Sequence, residues 1–165
     1  MTTTLTGLLE RSRQLGFLGP GPVEAHLPHA LAFASATHAD PARALDLGAG
    51  GGLPGLVLAA HVWPETRWTF VDANQRRTAF LRSAVEALGV EDRVQVVTER
   101  AEVVGRDPAH RGAYQLVVAR SFASPAVTAE CAAPLLVVGG QLVVSEPPDV
   151  DLAERWPAEP LGEVG

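Results

Sequence analysis

The sequence contains no lysine: all 13 basic residues among its 165 are arginine. Chemistry that needs a lysine amine is therefore excluded, including the G-K-[ST] loop of nucleotide-triphosphate sites. Cysteine is almost as scarce. The single Cys131 excludes an internal disulfide framework and any multi-thiolate metal site, and it fits a reducing, cytoplasmic setting. Long apolar runs are missing too. No stretch reaches the roughly 18 residues that cross a bilayer. Residues Met1–Thr6 lack the basic region and apolar core of a signal peptide, so no membrane association is expected. The formal charge of −6 argues against general phosphate-driven binding to nucleic acid and leaves only a local basic face for such contacts. The histidines (His26, His29, His38, His61 and His110) lack metal-ligand spacing, and no metal is expected.

What is present is apolar residue in quantity: 47% hydrophobic against 19% charged, enough for one domain with a sizeable core. Leu5–Leu15 and Val23–Ala36 read as helices, separated by the breaker cluster Gly16–Pro22. From Arg43 the pattern alternates. Strands are predicted at Arg43–Leu47, Arg67–Val71, Arg93–Thr98, Gln115–Ala119 and Gln141–Ser145. Helices are predicted at Pro54–Val62, at Gln75–Leu88 with Gly89 as its C-cap, and from Ser124 to Leu136 with the serine as N-cap. This alternation implies an α/β fold: a mainly parallel sheet covered by helices on both faces. Three segments are expected: a helical stretch over 1–39, an α/β domain over 40–146, and a Pro- and Glu-rich tail over 147–165.

The central motif is Asp46-Leu47-Gly48-Ala49-Gly50-Gly51-Gly52-Leu53-Pro54-Gly55. It follows a strand and opens a helix, where glycines allow positive φ and close approach of a ligand to the backbone. Gly50–Gly55 formally fits the dinucleotide fingerprint G-x-G-x-x-G. Asp46 argues against it, because a carboxylate before the loop opposes a pyrophosphate at the helix N-terminus. S-adenosylmethionine carries an ammonium and a sulfonium, which the same carboxylate favours. Asp72 ends the second predicted strand, 20 residues after Gly52, and can accept hydrogen bonds from both hydroxyls of a ribose. Asn74 can cap the helix that follows, which leaves Asp72 free for that role.

These residues, with Asp72–Arg82, Arg100-Ala101-Glu102 and Arg120-Ser121-Phe122-Ala123, resemble the RsmG (GidB) family from about Val23 to Gly140. Its members are bacterial methyltransferases that modify guanine N7 in small-subunit ribosomal RNA. The resemblance implies the Rossmann-like class I methyltransferase fold and S-adenosyl-L-methionine as cofactor. It implies cofactor contacts at Gly48, Leu53, Ala101 and Glu102, beside the loop residues Asp46, Gly50 and Gly52 and the carboxylate of Asp72. It implies a role at the cleft for Arg120, on the methionine carboxylate or on the substrate. The implied partner is small-subunit ribosomal RNA or the small ribosomal subunit.

The sequence departs from the family pattern in three places. His26 matches the family's histidine in its R-H-x-x-D-S-L segment, but the Asp-Ser that follows there is His29-Ala30 here. The family's fifth strand ends in L-K-G, whereas this chain has Val144-Ser145-Glu146-Pro147, so a negative residue is expected to face the substrate side. Too few residues follow for the antiparallel hairpin that usually closes a class I sheet, and that hairpin is expected to be missing. RNA contact would fall to Arg76, Arg77, Arg82, Arg11 and Arg13, which read equally well as solvated helix faces. Two other functions stay open at this point: a methyltransferase acting on a small molecule, and an S-adenosylmethionine-binding module without catalysis.

Overall fold

Runs of β-branched and aromatic residues form the strands, and they pair into one sheet. The computed structural model describes residues 3–147, 149 and 151–156. The strands are β1 (Arg43–Leu47), β2 (Arg67–Asp72), β3 (Val94–Thr98), β4 (Tyr114–Arg120) and β5 (Leu136–Ser145), all parallel, in the order β3-β2-β1-β4-β5. The order reverses between β1 and β4. Ligands of open α/β sheets bind at such a reversal, outside the carboxyl ends of the strands.

Alternating side chains along each strand feed two cores, one on each face. Ala44, Trp68, Phe70, Leu116 and Val118 pack with residues of α1 (Thr3–Gln14), α2 (Val23–Ser35), α3 (Gly55–Val57) and α4 (Gln75–Leu88). Leu45, Leu47, Val71, Val117 and Ala119 pack on the other face with α5 (Ala101–Val104) and α6 (Pro125–Ala132). Asn74 caps α4 by accepting from the N–H groups of Arg76 and Arg77, and Gly89 ends it in the left-handed conformation.

Five local expectations change. The helix predicted over Pro54–Val62 is α-helical only over Gly55–Val57 and continues as a π-helical turn, Leu58–Val62. The helix predicted to reach Leu136 stops at Ala132 and tightens to a 3-10 turn, Ala133–Leu135, because Pro134 has no N–H to continue the ladder. Ser124 stands at the N-cap of α6, but its side chain makes no capping bond. Strand β5 begins early: Leu136 pairs Tyr114, the ladder breaks, and pairing resumes from Gln141 to Ser145. Within the segment expected as a tail, a single helical turn, α7 (Leu152–Arg155), follows β5. Residues 157–165 of that segment lie outside the described residues.

Candidate functional site

The loop after β1 turns sharply because three alternating glycines take positive φ: Gly48 at 72°, Gly50 at 52° and Gly52 at 95°. Only glycine enters this region without strain. The loop is tied down by its own N–H groups. Those of Gly48 and Ala49 donate to the Val71 carbonyl at 2.9 Å, and that of Gly52 donates to Ala49 at 2.8 Å. Gly50 donates to Asp72 Oδ2 and Gly55 to Asp46 Oδ2, each at 2.9 Å.

Asp46 does not face the cleft. Its side chain is fully buried beneath the loop, with Oδ2 on the Gly55 N–H and Oδ1 without a hydrogen-bond partner. Burial pushes its carboxyl up to about 7; the Gly55 N–H works against this, Asp72 adds to it and Arg120 opposes it. The direct attraction of a cation expected of this carboxylate is therefore not its role. The structure makes it the anchor of the loop, because strand alternation directs position 46 to the same core as Ala44.

Asp72 closes the other side. Its Oδ1 accepts from the Asn74 N–H at 2.8 Å, and Arg77 approaches Oδ2 at 3.8 Å. The side chain lines a cleft of about 210 Å³ together with Gly48, Ala73, Glu99, Ala101 and Phe122. Ala101 therefore stands at the cleft. Glu102 does not line it; this carboxylate turns away and pairs with Arg100. Glu99, which sequence reasoning passed over, occupies the cleft wall instead.

A second cleft, of about 190 Å³, continues along the same loop between Gly48, Gly50, Leu53, Arg77 and Arg120. Leu53 touches it from below, with its side chain in the first core. Arg120 ends β4 half-buried and donates to His26 Nδ1 of α2 at 3.4 Å. Burial lowers the guanidinium pKa, and the Asp46 carboxylate acts in the opposite sense.

Beside Glu99, two further contributions have no counterpart in the sequence pattern. The breaker segment after α1 lays Phe17, Leu18 and Gly19 along the second cleft. The contact is close: a Cβ on Gly51 would fall 2.6 Å from Leu18 Cδ2 and 2.7 Å from the Phe17 carbonyl. Ser12 fixes the arrangement, donating from Oγ to the Gly51 carbonyl at 2.8 Å. A signal existed, since Ser12 sits on the apolar stripe of α1, seven residues after Leu5. The second contribution is Phe122. Its ring lies so near Gly48 that a Cβ there would fall 2.6 Å from Cδ2. The preceding Ser121 has φ 52°, a costly conformation for a residue with a Cβ.

On its far side Phe122 borders a third cavity, of about 290 Å³, between the carboxyl ends of β4 and β5 and helix α7. Glu146 lies here, with only 14% of its side chain exposed. It pairs with Arg155 and accepts from Trp156 Nε1 at 2.8 Å. Glu146 is the negative residue expected on this side, and α7 brings a guanidinium to it. Among the described residues no cluster of His, Cys, Asp and Glu could hold a metal ion, and no helix is long and apolar enough to cross a membrane.

Comparison with known proteins follows the same geometry. The family model for GidB, rRNA small subunit methyltransferase G, matches residues 22–146. The ribosomal RNA small subunit methyltransferase G of Synechococcus sp. (strain JA-2-3B'a(2-13)) is 39% identical over 109 residues, which are 66% of this chain and 41% of that protein. The chain spans less than half the length of the curated relatives it matches. Among solved structures, cofactor-bound Rv0187 from MTB superposes with a TM-score of 0.70 at 22% identity, over 99% of this chain and 79% of that one. A methyltransferase from Geobacter sulfurreducens in complex with S-adenosyl-L-homocysteine gives 0.56 at 26% identity, over 77% and 53%. The fold is the Rossmann-like class I methyltransferase fold. By sequence from the start of α2 to the end of β5, this chain belongs to the GidB family of rRNA small subunit methyltransferases G.

Proposed function

We propose that the chain binds S-adenosyl-L-methionine along the Gly48–Gly52 loop and directs its methyl group to guanine N7 of small-subunit ribosomal RNA, in the cytoplasm. The observation that carries this reading is the continuous pair of clefts along one glycine loop. Asp72 stands at one end and Arg120 at the other. The residues fit the cofactor. The positive-φ glycines leave the backbone uncovered for a close-lying ligand. Asp72 keeps lone pairs free for ribose hydroxyls beyond the two N–H groups it already accepts. Ala101 presents no bulk against an adenine ring, and Glu99 supplies an acceptor beside it. The bound cofactor would supply an electrophilic methyl on a sulfonium.

The protein's own part is alignment. Guanine N7 carries a free lone pair, so no general base is required, and catalysis rests on holding nucleophile and methyl in line. Arg120 lines the second cleft at the carboxyl end of β4. Its guanidinium can bind the methionine carboxylate or a substrate oxygen in a fixed fork. His26 accepts from it and so restricts its rotamer. Gly50 and Gly55 hold the loop rigid through Asp72 and Asp46. The assay is methyl transfer from labelled cofactor to small ribosomal subunits, naked ribosomal RNA and a metabolite extract. Label at guanine N7 of the RNA is expected. Label confined to the metabolite extract would overturn the RNA reading and favour a small-molecule substrate.

A further inference from the structure

We propose that Arg76, seated over Phe17 beside the second cleft, binds a backbone phosphate of the RNA strand next to the target guanine. The inference rests on the RNA reading above and names where the backbone is held. With a net charge of −6 the chain has no general pull on phosphate, so contact falls to individual arginines. The structure separates the five that the sequence leaves open. Arg13 pairs with Glu10 and Arg77 with Asp72, and Arg82 donates to the Val96 carbonyl and to Thr98 Oγ1. Arg11 and Arg76 are exposed and, among the described residues, have no ion-pair partner. Of these two only Arg76 lies over an aromatic ring, with its guanidinium carbon 6.0 Å from the Phe17 centroid. Phe17 packs in turn on Phe80 of α4, centroids 5.9 Å apart, and lines the second cleft with Arg77 and Arg120.

The position of Arg76 on its helix is unfavourable without an anion. Arg76 and Arg77 both stand in the first turn of α4, where the helix dipole presents positive charge, and that turn holds no acidic residue. Asp72 offsets the charge of Arg77; nothing comparable offsets that of Arg76. A phosphate beside Arg76 reverses the sign of the interaction, since the guanidinium and the helix end then both face an anion. Arginine stacks on a ring through its face and donates through its edge, so the contact with Phe17 leaves N–H groups for phosphate oxygens. Phe17 also links Arg76 to the cleft that Arg77 and Arg120 line. A strand presenting its guanine to that cleft therefore carries a neighbouring phosphate past the start of α4.

The test measures binding of fluorescein-labelled single-stranded oligoribonucleotides, with and without guanosine, to the full chain holding S-adenosylhomocysteine, over a series of salt concentrations. Arg76→Gln should reduce the slope of log affinity against log salt by about 0.7, the value for one phosphate contact on a single strand. It should weaken both oligonucleotides alike, because a phosphate contact carries no base information, and leave affinity for S-adenosylhomocysteine unchanged. Arg76→Lys keeps the charge and should keep the slope. Arg82→Gln removes the same charge from the same helix, where the side chain is already bonded to β3, and should also keep the slope. A wild-type chain that binds neither oligonucleotide overturns the proposal, and so does an unchanged slope in Arg76→Gln. An equal loss in Arg82→Gln overturns it as well, since the effect would then be one of net charge. Guanine-N7 methylation by a chain whose RNA affinity ignores Arg76 would remove the contact while leaving the proposed function intact. An Arg76-dependent slope in a chain that labels no RNA would do the reverse.

Discussion

Asp46→Asn tests the idea that the buried carboxylate anchors the loop at a cost to the fold. In the unfolded chain an aspartate ionises near 4; in the folded protein burial raises this to about 7. Between those values the native state holds a proton that the unfolded state has released, so stability falls as pH rises from about 4 to about 7. The displacement corresponds to about 4 kcal/mol at roughly 1.4 kcal/mol per pH unit. Asparagine keeps an acceptor for the Gly55 N–H and cannot ionise. It sets an amide where Oδ1 now has no partner, which costs about 1–3 kcal/mol at every pH. The expected outcome is a variant somewhat less stable than wild type at pH 4 and more stable at pH 8. The difference in unfolding free energy between the two proteins should swing by about 4 kcal/mol across that range. Urea denaturation at half-unit pH steps measures it. A difference that stays constant from pH 4 to pH 8 would refute the reasoning, since it would mean that Asp46 ionises normally in its buried site.

Gly51→Ala should destabilise the protein by about 1–3 kcal/mol, because a Cβ there meets Leu18, Ser12 Oγ and the Phe17 carbonyl at 2.6–2.7 Å. Thermal melting reads this, and increased hydrogen exchange in α1 should accompany it. Asp72→Ala should weaken S-adenosylhomocysteine binding by about 1–3 kcal/mol and lower stability as well, since the Gly50 and Asn74 N–H groups both lose their acceptor; calorimetry and melting on one preparation separate the two effects, and unchanged affinity with a lowered Tm would confine Asp72 to a structural role. Arg120→Ala should reduce methyl transfer even at saturating cofactor; it should also raise the Asp46 pKa further, because Arg120 is the positive group that opposes its rise. Wild-type turnover in that variant would remove Arg120 from the site.

The parallel sheet was legible because its strands are short, β-branched and separated by helices with clear caps. Gln75–Leu88 agrees to the residue with the observed α4, since Asn74 and Gly89 mark both ends chemically. Pro134 carried the information that α6 must stop early, but the apolar run through Leu135 and Leu136 obscured it. The loop was legible as a ligand site because four glycines within five residues exceed what a turn requires. The walls around it were not. Phe17–Gly19 reach the loop through contacts between segments far apart in sequence, Ser12 on Gly51 and Phe17 on Phe80 of α4. Glu99 and Glu102 are indistinguishable by composition; which one faces the cleft depends on how α5 starts after β3. The same holds at Glu146, whose partner lies on the helical turn after β5 and follows no periodicity.

The choice between a cationic cofactor and a dinucleotide gains a physical basis that charge alone did not provide. Asp46 does not itself repel a pyrophosphate, because it is buried and holds its proton up to about pH 7. A pyrophosphate at a glycine-rich loop depends on free backbone N–H groups that point at it. Here those of Gly48, Ala49, Gly50, Gly52 and Gly55 all have acceptors within the protein. Two of the acceptors are carboxylates, and the one on Gly50 belongs to Asp72, which lines the cleft itself. A phosphate would have to displace that carboxylate or lie against it, losing the donors and meeting like charge. A sulfonium and an ammonium meet the same carboxylate as an attraction. Calorimetry should therefore show heat with S-adenosylhomocysteine and none with NAD; NAD binding of equal strength would mean that the loop opens and frees its N–H groups.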